Sequence, residues 1–470
     1  MPYIVSYLTF GITITLFILF LFLLISWRWV IKKMVQHAGN IILSDSYQEN
    51  IMELMPGLRH MGIQNTLENS LRAETGKVLH RPLGSSKKWP HLDSITFIPA
   101  QTSPFAVSSE EEVDVEVIIG PKAKKPMKIN IPLMISGMGY GVSLSERARL
   151  SLAGAAKNTG TAINSGEGGV LSEELQAAGK YILQFSKTEW AKEEETIKRA
   201  DMIEIKLGQG ALFGMGAHIS PQDLTGNARK VMGLQQDEMA IIHEHFFEDQ
   251  TLYDLKELVE QLRKLTGGVP IGAKIGAGGK IEKDIDHLIE MGVDYIAIDG
   301  GQAATYSAPP ILSDDFGIPT LHAVVRAVNH LEQRKMKQKI SLIISGGMLT
   351  PGHFLKALAL GADAIYLGSS ILFAVSHGQS TAPLPFEPPT QVVWYNGKLK
   401  DQFKVEEGIK TAEKFLTASA EEMKTALRAM GKRSLKELSK EDLVSYDESI
   451  ARIVGIPFTF DPWTDNHEKN

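Results

Sequence analysis

The chain has 470 residues, 43% hydrophobic and 22% charged, so it can bury a large core with room for one large domain and additions. Its 49 basic and 55 acidic residues leave a net charge of -6, which excludes the global basic field that nucleic-acid binding needs; any anionic ligand must be held by local groups. Cysteine is absent, and with it go disulfides, thiolate nucleophiles, cysteine adducts and cysteine-ligated zinc or iron–sulfur clusters.

From Tyr3 to Trp27 no side chain is charged. The run TFGITITLFILFLFLLISW is long enough to cross a hydrocarbon core of roughly 30 Å as a helix, so residues 1–30 are expected to form a transmembrane anchor. A cleaved signal peptide fits less well: Arg28, Lys32 and Lys33 follow the apolar run, and no small-residue cleavage site appears. By the positive-inside rule those cations place the rest of the chain in the cytoplasm, as a single-pass protein of the cell membrane. Trp27 and Trp29 suit the interfacial belt of such a helix.

Residues 31–130 carry mixed charge with several Gly and Pro, and VDVEVIIG at 113–120 alternates like a half-buried strand. This stretch is expected to be a lead-in segment packed on the main domain. From Ile131 the texture changes to short apolar runs, most followed by a helical stretch. The first are IPLMI at 131–135, TAI at 161–163, YILQ at 181–184 and MIEIK at 202–206. Ser143, with Glu146 three residues on, reads as a capping box opening the first helix.

The second half repeats a helix-then-strand unit four times. DLKELVEQLRKLTGG closes at Gly267 before the strand VPIGAK, and IEKDIDHLIEMG closes at Gly292 before DYIAI. LHAVVRAVNHLEQ precedes ISLII, and Thr350 and Pro351 open HFLKALALG before DAIYL. Parallel strands with right-handed crossovers follow, and eight candidates are the number that closes a barrel. The expected fold is α/β, a TIM-type (β/α)8 barrel over 131–400, with a helical segment at 401–470 that caps the barrel or contacts a partner subunit. An open doubly wound sheet would want a GxGxxG fingerprint after its first strand, and none is apparent.

Active-site groups in such a barrel come from the C-terminal ends of the strands and the loops that follow. The groups after strands seven and eight, Ser345-Gly346-Gly347 and Gly368-Ser369-Ser370, read as a phosphate cradle by position, or alternatively as tight turns alone. Lys274 is placed to stabilise negative charge on a bound ring or phosphate, unless it is solvated. Glu167 among glycines could orient an amine or a ring edge, or be a surface carboxylate. His243-Glu244-His245 alternates on a presumed helix, has no obvious third ligand, and no metal is expected.

Several segments together resemble the FMN-binding domain of glutamate synthase and its stand-alone relatives, over roughly 110–392 of this sequence. They are SGMGYGVSLSERARLSLAGAAKNTGTAINSGEGG, MIEIKLGQGA, AIDGG, SGGM and LGADAIYLGSS. The resemblance implies FMN as cofactor, held by Ser136, Asn164, Gln184, Lys206, Lys274, Gly300, Gly301, Gly346, Gly347, Gly368 and Ser369. It places Glu167 and Gln209 near the substrate and, with Lys274, in the catalytic set. The implied reaction is reduction of 2-iminoglutarate, formed from 2-oxoglutarate and ammonia, to glutamate, with the protein positioning the imine for hydride from the flavin.

The sequence departs from that family in three ways. Leu212 and Met215 stand where the family's QGAKPGEGG places a lysine and an acidic residue, which removes an obvious partner for a dicarboxylate. After Phe373 the stretch SHGQSTAPLPFEPPTQ has no cysteine for a three-iron cluster. No amidotransferase domain or N-terminal cysteine accompanies the barrel. These departures keep two rivals open: an FMN oxidoreductase acting on another amino or hydroxy acid, its electrons exchanged with a membrane quinone or an electron-donor protein, and a non-catalytic membrane-tethered barrel.

Overall fold

The structure is a computed structural model that describes residues 2–46, 50–303, 305 and 308–462; the end of the expected C-terminal segment, 463–470, lies outside the described residues. The chain falls into two compact units, 1–79 and 80–470.

The first unit begins with the helix Pro2–Ser44, long and apolar enough to cross a membrane, with none of its apolar stretch buried. The helix runs well past Trp27, to Ser44. Asn50 ends it: its Nδ2 donates to the carbonyls of Ile41 at 3.1 Å and Ile42 at 2.8 Å, groups that the last helical turn leaves unsatisfied. Two amphipathic helices follow, Leu54–Met61 and Ile63–Thr75, the second closed by Gly76 at φ 61°.

The second unit is built on a closed ring of eight parallel strands. They are β1 (Leu133–Ile135), β2 (Ala162–Asn164), β3 (Lys180–Phe185), β4 (Met202–Lys206), β5 (Ile271–Gly276), β6 (Tyr295–Asp299), β7 (Ser341–Ser345) and β8 (Ala364–Leu367). All eight match runs recognised in the sequence. β8 pairs back onto β1 through Ile365↔Leu133 and Leu367↔Ile135, which closes the ring.

Side chains alternate across each strand, so every second residue points into the barrel. Met134, Ala162, Ile182, Met202, Ala297, Ile343 and Ala364 form a dry inner layer with Tyr295 and Tyr366. An antiparallel hairpin, Val117–Ile119 with Met127–Ile129, seals the N-terminal end by adding Ile119, Met127 and Ile129 to that layer. Of the half-buried strand expected at 113–120, only Val117–Ile119 forms a strand.

Outside the ring, the helices end where the sequence places their caps. Gly267 and Gly292 take left-handed φ of 71° and 79°, and Thr350 Oγ1 accepts from His353 N–H. One cap differs from expectation. The first helix is Glu146–Thr159 and its N-cap is Ser145, which accepts from Ala148 N–H, while the Ser143 hydroxyl donates to the Gly139 carbonyl instead. Glu146 is thus the first helical residue, and the turn preceding it takes Ser143.

The C-terminal helix Val405–Ala429 lies along Glu146–Thr159. Glycine permits the close approach: a Cβ at Gly154 would come within 2.8 Å of Ile409, and one at Gly408 within 2.8 Å of Ser151. A two-stranded pairing of Ile95–Phe97 with Leu443–Ser445 ties the lead-in segment to the C-terminal one.

Candidate functional site

Two residues beyond the dry layer, the same alternation turns polar. Ser136, Asn164, Gln184, Glu204, Lys274, Asp299, Ser345 and Tyr366 each follow an inward-facing position by two, and each is buried. Above them, at the C-terminal end of the barrel, opens a cavity of about 1250 Å³. Apolar filling below and polar groups at the mouth are what a barrel needs to be both a packed core and a ligand platform.

Of the residues singled out in the sequence, Ser136, Glu167, Gln184, Gln209, Lys274, Gly346, Gly347, Gly368 and Ser369 line this cavity. Asn164, Lys206, Gly300 and Gly301 do not, and each has another place. Asn164 is fully buried and donates to Glu204 at 2.8 Å, while its Oδ1 accepts Gly166 N–H at 2.9 Å. Lys206 forms an ion pair with Glu167. Gly300 is where the end of β6 meets the helix Thr320–Gln333: a Cβ there would fall 2.4 Å from the Thr320 Cα. Gly301 N–H donates to the Ile318 carbonyl at 2.7 Å.

Lys274 Nζ stands 3.2 Å from Asp299 Oδ2 and 5.6 Å from the centre of the Tyr366 ring. Burial by itself would lower its pKa, but the carboxylates of Asp299 and Glu204 outweigh burial and hold the ammonium above the ordinary lysine range. Asp299 Oδ2 also accepts Gly210 N–H at 3.0 Å, while its Oδ1 is buried with no partner among the described residues. Behind the Glu167–Lys206 pair, Lys187 donates to the Leu207 carbonyl at 3.0 Å; its pKa is lowered by burial and by the neighbouring Lys206.

The glycine turns form the other wall. Gly346 and Gly347 take φ of 107° and 70°, which only glycine adopts freely. Gly368 faces open space, and the helix it precedes, Ser369–Ser376, has no side-chain cap. Ser370 Oγ in its first turn is buried and unpartnered among the described residues. Uncapped N–H groups and room above them suit a bound phosphate. The lead-in segment closes this wall through His91, whose Nε2 lies 2.8 Å from the Gly347 carbonyl.

Sequence reasoning missed Glu204, Tyr366 and His91 as parts of the site and left Asp299 without a role. The pattern M-I-E-I-K did contain the signal for Glu204, since a period of two puts Met202, Glu204 and Lys206 on one face. The excursion between β4 and the helix Leu252–Thr266 was also not foreseen: it carries a hairpin, Ala217–Ile219 with Ala240–Ile242. His243-Glu244-His245 follows that hairpin as a loop and not as a helix. From this excursion the apolar Leu212, Met215, Ile219 and Ile242 line the cavity, together with the polar His218 and Asp223.

The fold and the cavity define a ligand-binding (β/α)8 barrel of enzymatic type, with its polar groups converging at the C-terminal end of the strands. A family model for the conserved region in glutamate synthase matches residues 74–433, and the chain belongs to that family. A glutamate synthase large subunit-like protein of Rhizobium meliloti is 28% identical over 414 residues, covering 83% of this chain and 92% of the relative. An archaeal-type glutamate synthase [NADPH] of a Thermotoga species is 28% identical over 443 residues, 88% of this chain and 87% of its own length. Among solved structures, a flavocytochrome b2 double variant with sulfite bound aligns with a TM-score of 0.49 at 18% identity, over 80% of this chain and 85% of that one.

Proposed function

We propose that this chain is a membrane-anchored, FMN-dependent oxidoreductase of glutamate synthase type that reduces 2-iminoglutarate, formed from 2-oxoglutarate and ammonia, to glutamate. The observation that carries the reading is the pairing of a glycine-lined, uncapped helix N-terminus with a polar barrel floor, both opening on one cavity. A phosphate and a flat polar ring joined in one ligand match those two walls.

In this reading Gly346, Gly347, Gly368 and Ser369 hold the phosphate, and Ser136, Gln184 and Lys274 hold the ring. Asn164, Lys206, Gly300 and Gly301 support the cradle from behind. Bound FMN would supply the two-electron reducing equivalent for the imine carbon. Glu167, paired with Lys206, and Gln209 orient the nitrogen end of the substrate. Electrons for this reduction come from an electron-donor protein; a membrane quinone would accept electrons if the chain instead oxidises another amino or hydroxy acid.

Leu212, Met215, Ile219 and Ile242 in the cavity wall favour a second reading, an amino or hydroxy acid with an apolar side chain in place of the dicarboxylate. The test is to purify the protein in detergent, record its absorbance spectrum and identify the released cofactor by mass. The reduced holoprotein is then given ammonium with either 2-oxoglutarate or 4-methyl-2-oxopentanoate. Glutamate as the faster product supports the first reading and leucine the second; a colourless protein that refuses added FMN sinks both.

The helix Pro2–Ser44 would serve as a single-pass anchor, with Arg28, Lys32 and Lys33 on the cytoplasmic side together with the barrel.

A further inference from the structure

Glu204 is fully buried beneath the cavity, and apart from its charge near Lys274 it has no part in the roles above. Its Oε1 accepts from Asn164 Nδ2 at 2.8 Å and Gln184 Nε2 at 2.7 Å, and its Oε2 accepts from the Tyr366 hydroxyl at 2.8 Å. A carboxylate offers only acceptors, so both amides must turn their NH2 groups toward it, and their orientation follows from chemistry. The Asn164 oxygen is then taken by Gly166 N–H. Gln184 lines the cavity, and its oxygen is the end left over.

We infer that Glu204 is a positioning residue: it locks Gln184 as a hydrogen-bond acceptor toward the cavity and so selects a ligand edge that presents an N–H there. An isoalloxazine carries one such group, N3–H, flanked by carbonyl oxygens, and the Lys274 ammonium is a donor for a carbonyl on the same floor. A ring edge with a bare acceptor in that place meets a lone pair and is rejected. The inference rests on the FMN reading and adds the reason why the barrel keeps a buried carboxylate under it.

The experiment loads the full detergent-solubilised chain with 15N-labelled FMN and records the N3–H correlation by NMR. Wild type is expected to show a slowly exchanging, hydrogen-bonded N3–H. Glu204→Gln keeps it, because the new amide oxygen still accepts from both side chains and its NH2 donates to the Tyr366 hydroxyl; FMN affinity stays within about threefold. Glu204→Met releases Gln184, and the protected N3–H disappears while affinity falls roughly tenfold, the size of one ordinary hydrogen bond. Retention of the wild-type signal in Glu204→Met overturns the inference. Wild type alone also decides it, whatever the variants do: bound FMN whose N3 proton exchanges freely contradicts the locked acceptor, whereas failure to bind FMN at all removes the cofactor reading instead.

Discussion

Lys274 sits on the cavity floor with its charge facing Asp299 at 3.2 Å, and both side chains are nearly inaccessible to water. Removing one member of such a pair strands the other's charge, a cost of about 3–5 kcal/mol, whereas removing both is far cheaper. Lys274→Met is therefore expected to destabilise the fold by that amount and Asp299→Asn by less, since the substituted amide keeps an acceptor for Gly210 N–H. The double variant should recover most of the loss. Urea unfolding of the four proteins measures the coupling; additive losses would mean the two charges do not depend on each other.

His91 is a titratable group on the phosphate wall. Burial lowers its pKa below the usual 6.5, the neighbouring His353 and Lys356 act in the same direction, and the Gly347 carbonyl and Asp93 oppose them. Its Nδ1 is buried without a partner among the described residues, beside the His353 ring at 4.7 Å, so a proton there finds no acceptor. The folded value lies below the unfolded one. The neutral ring's contribution is therefore complete above about 6.5 and is lost as pH falls from there through the folded value. Stability is expected to drop as pH falls below about 6.5, and His91→Gln to flatten that drop by the slope of up to one proton. Urea midpoints of both proteins against pH read the difference, and identical slopes would assign the acid loss to other groups.

At the scale of elements, the end of β6 docks against the helix Thr320–Gln333 at a single glycine. A Cβ at Gly300 would lie 2.0 Å from Thr320 Oγ1 and 2.4 Å from its Cα, and the backbone atom cannot swing aside. Gly300→Ala is expected to cost about 1–3 kcal/mol, the usual range for overpacking, and to shift Thr320, whose hydroxyl donates to the Gly346 carbonyl at 2.9 Å. Loss of cofactor affinity should accompany the loss of stability, read by thermal unfolding with and without added FMN.

The same elements show what a sequence can carry. Helix ends at Gly267, Gly292 and Thr350 were legible because a cap is a local device, written in one or two residues. The eight strands were legible because each is a short apolar run between turn signals. The cap at Ser145 was not, since two serines two apart both qualify and only the packing of the Gly139 turn decides which is used. Gln184 and Glu204 are neighbours in register across β3 and β4, a relation that exists only once the barrel closes. The hairpin within 207–251 escaped notice because Ala217–Ile219 is not an apolar run and its partner Ala240–Ile242 lies far beyond the reach of a tight turn.

At the scale of the whole molecule, two compact units of very different character share one chain. Residues 80–470 bury large apolar clusters, while the helix Pro2–Ser44 exposes nearly every Leu, Ile and Phe it has. Exposed apolar surface of that extent is costly in water and is satisfied in hydrocarbon. The full chain is therefore expected to stay with membranes through an alkaline carbonate wash. In the proposed anchor the orientation would depend on the cations that follow the apolar run, since residues near the span's end bias which side is retained. Replacing Arg28, Lys32 and Lys33 together by Gln should weaken that bias, and adding basic residues before Tyr3 in the same protein should invert it. Protease treatment of right-side-out cells reads the outcome directly. A barrel protected in wild type and cleaved in the inverted variant places the catalytic unit in the cytoplasm, whereas a barrel cleaved in wild type puts it outside and separates it from cytoplasmic electron donors.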